Sequence, residues 1–411
     1  MQRTLTLPAL AAALLLSAAA PAALAWNTLD GKAPLIIAHR GASGLLPEHT
    51  LEAYAKAIEL GANYIEPDLV MTKDGVLVAR HEPTIGATTN VASIAAFADR
   101  KRIKTVDGVT SSDWYVEDFT LAELKTLRAV QPRANRPQQY NGQFQVPTLD
   151  EVIALAKQKS LETGRTIGIY PELKHSTYMQ GVSQGLGFSK TYFEDKLVST
   201  LHAAYGNDRN APVFIQSFEV GNLQYLNTRT DIKLVQLVDA DDVKPDGSLS
   251  LAAPYDQPAD VKANGGLLSF ADLVSNVGLS FVKTYADGIG PWKPYLLKTV
   301  ADGVDRNGDG VVNGKDRLVV GSTGVIEAAH KNGLFVHTWT MRDDGGLLGF
   351  SDGKSEIEAY LKLGVDGVFT DFTATGVAAL AAVPEPETYA LMTAGLALLW
   401  AAKRRREQDK K

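Results

Sequence analysis

Cysteine is absent from the chain. No disulfide can staple it, so its stability has to come from a sizeable hydrophobic core and from any bound metal. An excess of positive charge is also missing. Lys and Arg number 41 against 47 Asp and Glu, for a net charge of −6, and no basic stripe occurs outside the extreme C-terminus. That balance argues against nucleic acid as a partner. Histidine is scarce, with seven in 411 residues, so each can be weighed singly. No repeat of about 20–50 residues is visible, which excludes solenoid and propeller arrays.

Both ends read as processing signals. Residues 1–25 combine Arg3, an Ala- and Leu-rich core and Ala23-Leu24-Ala25 before Trp26. A basic start, a short apolar core and an A-x-A site make a secretory signal peptide, and the core is too short for an anchor. The expectation is an exported protein, periplasmic, at the cell surface or extracellular, processed by signal peptidase. Residues 26–382 then suit one large domain.

Within that body, apolar runs alternate with amphipathic helical stretches about eight times. Leu35–Ala38, Tyr64–Met71, Thr166–Pro171, Val213–Phe218, Lys233–Val238, Ala286–Trp292, Leu334–Thr340 and Val368–Phe372 read as strands. Thr120-Leu-Ala-Glu123, Thr148-Leu-Asp-Glu151 and Ser355-Glu-Ile-Glu358 read as capping boxes that open helices. On the first helix, Leu51, Tyr54, Ala55 and Ile58 form the apolar face and Glu52 pairs outward with Lys56. Residues 83–147 loosen into a surface insertion. The alternation predicts a parallel sheet closed as a TIM-type (β/α)8 barrel with insertions. Polar groups follow strand after strand, whereas an open sheet gathers them at one switch point.

Those polar groups form a pattern. His39 and Arg40 end the first strand, and Glu66 and Asp68 lie on the second with i,i+2 spacing, which points both carboxylates to one face. His81 ends the following run, and Glu172 and Lys174 follow a later strand. Glu66, Asp68 and Glu172 make an all-oxygen site for a hard divalent cation, Ca2+ favoured over Mg2+. Two histidines beside it suit a general acid and a general base. Arg40 and Lys174 supply the fixed positive charge that a phosphodiester requires.

The set His39-Arg40-Gly41, Pro47-Glu48-His49-Thr50, Glu66-Pro67-Asp68, His81-Glu82-Pro83, Pro171-Glu172-Leu173-Lys174, Gln216-Ser217-Phe218 and Trp339-Thr340 resembles the exported bacterial glycerophosphodiester phosphodiesterases. One departure is His49, which stands where that family usually has asparagine. The resemblance implies a barrel hydrolase that releases glycerol 3-phosphate and an alcohol from a small glycerophosphodiester. It implies Glu66, Asp68 and Glu172 as metal ligands, His39 and His81 as the acid–base pair, and Arg40 and Lys174 as the phosphate clamp. Gln216 is expected to reach the site, Trp339 to wall the glycerol, and the 83–147 insertion to shape the substrate pocket. Phosphatidylinositol-type phospholipase C and sphingomyelinase D share such barrel chemistry, and a non-catalytic, calcium-dependent surface or matrix protein is the reading from another class. His39-Arg40-Gly41 with Pro47-Glu48-His49-Thr50 and the later Pro171-Glu172-Leu173-Lys174 favour the first assignment over those phospholipases, and the presence of His39, His81, Glu66 and Asp68 argues against the non-catalytic reading.

Two features stand apart from that constellation. Residues 305–316 read DRNGDGVVNGKD, an EF-hand-type loop with Asp305, Asn307 and Asp309 at positions 1, 3 and 5, the Val311 carbonyl, and Asp316 at position 12. It predicts a second, structural Ca2+. Residues 383–411 carry Val383-Pro-Glu-Pro386, an apolar segment from Tyr389 to Ala402, and Lys403-Arg-Arg-Arg406. This tail resembles the PEP-CTERM sorting signal, which implies cleavage by an exosortase-like protease and only transient contact with the membrane.

Overall fold

The computed structural model describes residues 26–306, 310–313 and 316–383. The leader and all but Val383 of the tail lie outside them. Eight parallel strands close on themselves: β1 (Leu35–His39), β2 in two pieces (Tyr64–Glu66 and Asp68–Met71), β3 in two pieces (Gly168–Ile169 and Glu172–Leu173), β4 (Phe214–Ser217), β5 (Lys233–Val238), β6 (Gly288–Pro291), β7 (Phe335–Met341) and β8 (Gly367–Thr370). β1 pairs with β8 on one side and β2 on the other, which closes the ring. This is the expected barrel.

The breaks in β2 and β3 fall at Pro67 and at Tyr170-Pro171. Proline has no N–H to give to the ladder. The pairing resumes past each proline, with Glu172 N donating to Pro67 O at 3.0 Å and Gln216 N to Pro171 O at 3.0 Å. Glu66, Asp68 and Glu172 each flank one of these prolines.

Side chains inside the barrel recur every second residue. Ile37, Tyr170, Phe214, Val235 and Phe369 fill the interior as one apolar cluster. Two residues further along the same strands come His39, Glu172, Gln216, Leu237 and Asp371. The apolar layer is therefore the floor of a polar layer at the C-terminal ends of the strands. His337 belongs to the floor: its Nδ1 lies 3.0 Å from the Tyr170 hydroxyl, and burial pulls its pKa down to about 4.

The run after β2 returns through the Asp74-Gly75 turn as a hairpin arm, Leu77–Ala79 antiparallel to Asp68–Met71, with His81 just past it. Several other local expectations shift. The first helix spans Leu51–Glu59 and buries Ala53, Tyr54, Ala57 and Ile58. Lys56 pairs with Glu59 at 2.9 Å, not with Glu52. The helix Gly353–Leu363 starts before Ser355, because Asp352 caps it by accepting from Ser355 N at 2.8 Å. The helix Ser176–Gly185 carries no strong sequence signal, since its serines, threonine and glycines are poor helix formers. Tertiary contacts hold it: Met179 is buried, and Glu219 accepts from Thr177 N at its first turn.

The insertion is ordered. It contains a hairpin, Arg102–Val106 with Val109–Asp113, and the capped helix Leu121–Leu124. The hairpin tip, Asp107, and a later arginine, Arg136, both reach the C-terminal face of the barrel.

Candidate active site

Strand register builds the centre of the site. His39 sits opposite Glu66, Asp68 opposite Glu172, and Glu172 opposite Gln216. Glu66, Asp68 and Glu172 are buried, with carboxylate oxygens within 4.8 Å of one another. Among the described residues, buried Asp68 Oδ1 accepts no hydrogen bond, and buried Glu172 Oε1 meets the Lys174 ammonium at 2.9 Å. Burial and the neighbouring Asp68 hold the Glu66 carboxyl well above its ordinary range, and burial pushes Glu172 up to about 8 against the pull of Lys174. Burial would raise Asp68 too, but the adjoining His49 keeps it well below the usual carboxylate range. Three crowded, desolvated carboxylates with unused lone pairs are a fit for a hard divalent cation.

The cations around them are fixed by short loops. Arg40 and His49 both adopt left-handed backbone, at φ 59° and 54°, a strained conformation for non-glycine residues. The turn aims Arg40 N at Glu66 Oε2, 2.8 Å away. Gly41 makes the turn possible: at φ +86°, a Cβ there would lie 2.7 Å from the Ala53 carbonyl carbon. The Arg40 guanidinium bonds Glu48 at 3.2 Å and lies 3.4 Å from Asp68. The pairing of Arg40 with Glu48 thus coexists with a position over the carboxylate cluster. Lys174 Nζ lies 2.9 Å from Glu172 and 3.4 Å from His81 Nε2. His49 Nε2 is 2.8 Å from Asp68 Oδ2 and its Nδ1 is 2.7 Å from the Tyr54 hydroxyl, so the departure from the family motif orients a carboxylate of the cluster.

Each of the two candidate acid–base imidazoles is backed by a carboxylate. His39 Nδ1 lies 2.5 Å from Asp371 Oδ1, just past β8. Asp371 Oδ2 in turn accepts from Arg136 at 2.5 Å and from Arg342 at 2.8 Å. His81 Nδ1 lies 3.0 Å from Glu82 Oε1. Burial and the positive charge of Arg40 pull both histidines down, to about 4, while Asp371 behind His39 and Glu82 behind His81 oppose the shift. Gln216 donates to Glu66 Oε1 at 3.1 Å. Trp339 donates its Nε1 to Gly290 O at 2.7 Å and lines the cleft with Thr340. The cleft thus gathers the residues singled out from motifs, apart from the 305–316 loop, whose Asn307 and Asp309 lie outside the described residues. Asp305 accepts from Gly310 N, and Asp316 from the backbone of Arg306 and Asn313.

Sequence reading missed the supporting groups. Asp371 had a signal, since it follows a strand and lies two residues past the inward Phe369. Arg342 had the same kind of signal, directly after β7, and Arg136 had none. His175 was also missed. It holds Glu82 Oε2 at 2.8 Å through Nε2 and Asp107 Oδ2 at 2.6 Å through Nδ1. A chain therefore runs from the insertion tip to an imidazole of the cleft: Asp107, His175, Glu82, His81. Burial opposes the charge on His175, but its bonds to Asp107 and Glu82 lift it to about 9.

That shift fixes a pH dependence. The folded pKa lies above the unfolded value, so the contribution to stability is complete below about pH 6.5 and is lost as pH rises through about 9, with a magnitude on the order of 3 kcal/mol. Urea unfolding of wild type and His175→Gln is expected to differ most near pH 6 and least near pH 10. A gap that stays constant with pH contradicts the assignment.

The comparisons with known proteins agree with this geometry. The glycerophosphoryl diester phosphodiesterase family matches residues 39–375. A glycerophosphodiester phosphodiesterase of Arabidopsis thaliana is 36% identical over 357 residues, 84% of this chain and 85% of its own length. One from Haemophilus influenzae is 32% identical over 399 residues, 91% of this chain and 97% of its own. In fold, the chain is similar to the crystal structure of a glycerophosphoryl diester phosphodiesterase homologue from Silicibacter pomeroyi, with TM-score 0.55 at 19% identity over 87% of this chain and 97% of that one. It is also similar to an Oleispira antarctica phosphodiesterase solved with the product sn-glycerol-3-phosphate, with TM-score 0.52 at 17% identity over 86% and 99%. The chain belongs to the glycerophosphoryl diester phosphodiesterase family.

Proposed function

We propose that the cleft hydrolyses glycerophosphodiesters to glycerol 3-phosphate and an alcohol, with His39 and His81 as the acid–base pair. The observation that carries this reading is the buried cluster of Glu66, Asp68 and Glu172, flanked by His39, His81, Arg40 and Lys174 in one cleft. Glu66, Asp68 and Glu172 would hold a divalent cation, which would supply charge neutralisation at the non-bridging phosphate oxygens. Arg40 and Lys174 hold the same phosphate from the protein side. One imidazole takes the proton from the free hydroxyl of the glycerol unit next to the ester, and that oxygen attacks phosphorus. The other imidazole protonates the departing alcohol oxygen. Water then opens the cyclic phosphate with the two roles exchanged. Asp371 and Glu82 hold the two rings in place, Gln216 orients Glu66, and Trp339 walls the glycerol.

Wild type is expected to release glycerol 3-phosphate from glycerophosphocholine. Chelation should abolish the release, and His39→Ala should lower kcat by about 10²–10⁴. A diester lacking the neighbouring hydroxyl should be inert. Turnover of that diester at a comparable rate rules out the cyclic route, and full activity of His39→Ala rules out the acid–base assignment.

Ca2+ is favoured over Mg2+ in the cleft because an all-carboxylate set suits its flexible, oxygen-rich shell. A second Ca2+ in the 305–316 loop would pin an insertion that no disulfide holds. Added calcium should therefore raise Tm, and Asp305→Ala with Asp309→Ala should remove the part of the rise due to this loop. An unchanged rise counts against that role.

The leader and tail mark export and final processing near Pro384-Glu-Pro386. Mass spectrometry of the mature protein is expected to show loss of residues 1–25 and of the segment beyond that motif. An intact C-terminus after export would refute the sorting reading.

A further inference from the structure

A cavity of about 480 Å³ opens beside the catalytic cleft and shares His81, Glu172, Lys174, Phe218 and Trp339 with it. His39, Arg40 and Glu66 line only the smaller cleft. A phosphate at the shared groups would leave the glycerol unit on the His39 side and its other ester group in the larger cavity. The chemistry of that cavity then chooses the alcohol.

Its lining is rich in carboxylates. Five carboxylates line it against Lys174, Lys262 and His175. Lys174 pairs with Glu172, Lys262 pairs with Asp256 at 3.2 Å, and His175 is shared between Glu82 and Asp107. Asp239 and Glu219 form no ion pair among the described residues. Asp239 stands just past β5, where only Ala240 N donates to its side chain. Burial raises Asp239 to about 6, which still leaves it ionised at neutral pH, and raises Glu219 to about 8. An incoming cation would reverse the cost of that burial.

Aromatic rings supply the rest of the wall. Phe218 meets Trp339 edge to face at 5.7 Å and Phe270 at 6.0 Å. Tyr255 stands on the rim, 46% exposed. The Phe218 ring already carries a cation, with Lys174 Nζ 5.5 Å from its centroid. Aromatic rings and a carboxylate lining one cavity are the groups that recognise a quaternary ammonium.

We propose that this cavity seats the departing alcohol and selects a cationic, choline-type alcohol through Asp239 and the aromatic wall. The proposal rests on the hydrolase reading given above. The test compares kcat/KM for glycerophosphocholine with that for its uncharged carbon isostere, the dimethylbutyl ester, which has the same shape without the charge. Glycerophosphoglycerol serves as a third substrate.

Wild type should prefer the choline ester over the isostere by about tenfold. Asp239→Asn and Tyr255→Leu should each move that ratio toward one, chiefly through KM for the choline ester. A wild-type ratio near one, or a ratio that neither variant moves, overturns the proposal. Rapid cleavage of glycerophosphoglycerol with both other esters slow overturns it while leaving the hydrolase reading intact. Failure on all three substrates overturns both.

Discussion

Three carboxylates held in one buried cluster are the constraint on which the rest of the molecule depends. At this burial their mutual repulsion is hardly screened, and no cluster of this kind persists without compensation. The compensation is visible in what surrounds it. Arg40 is forced into left-handed backbone so that its N–H meets Glu66. His49 spends one ring nitrogen on Asp68, and Lys174 lies against Glu172. A divalent cation would complete the balance, and its charge, with that of Arg40 and Lys174, is what a phosphodiester's oxygens would meet.

The 83–147 segment is an integral part of the catalytic face. Asp107 at its hairpin tip reaches His81 through His175 and Glu82, and Arg136 reaches His39 through Asp371. One surface excursion of the chain thus touches the support of both imidazoles. It brackets the site from two sides of the barrel rim and contributes Val109 and Ser111 to the larger cavity.

The barrel and the centre of its site were legible because strand ends repeat one local grammar. An apolar run with period-two inward residues ends in a group with chemistry, as in Ile37 to His39 and Phe214 to Gln216. The supporting groups were less legible. Arg136 lies in a stretch with no periodicity, and only three-dimensional closure brings it to Asp371. His175 precedes a helix of poor intrinsic propensity, so nothing local marked that helix or its first turn. Asp239 and Tyr255 border a stretch of scattered Pro, Gly and Asp, where no period could signal a cavity wall. The Glu52–Lys56 expectation failed for a different reason: Lys56 has two acidic neighbours in range, and spacing alone cannot rank them.

Asp371 lies just beyond the last strand of the ring, while the histidine it holds ends the first. The two are 332 positions apart in the chain. A polypeptide interrupted just before Gly367 would carry nearly every side chain of the site and yet leave the ring open, with His39 unsupported. Closure of the ring, with β8 paired between β7 and β1, is thus what brings Asp371 to His39. The support of the first strand's histidine is therefore tied to completion of the last strand.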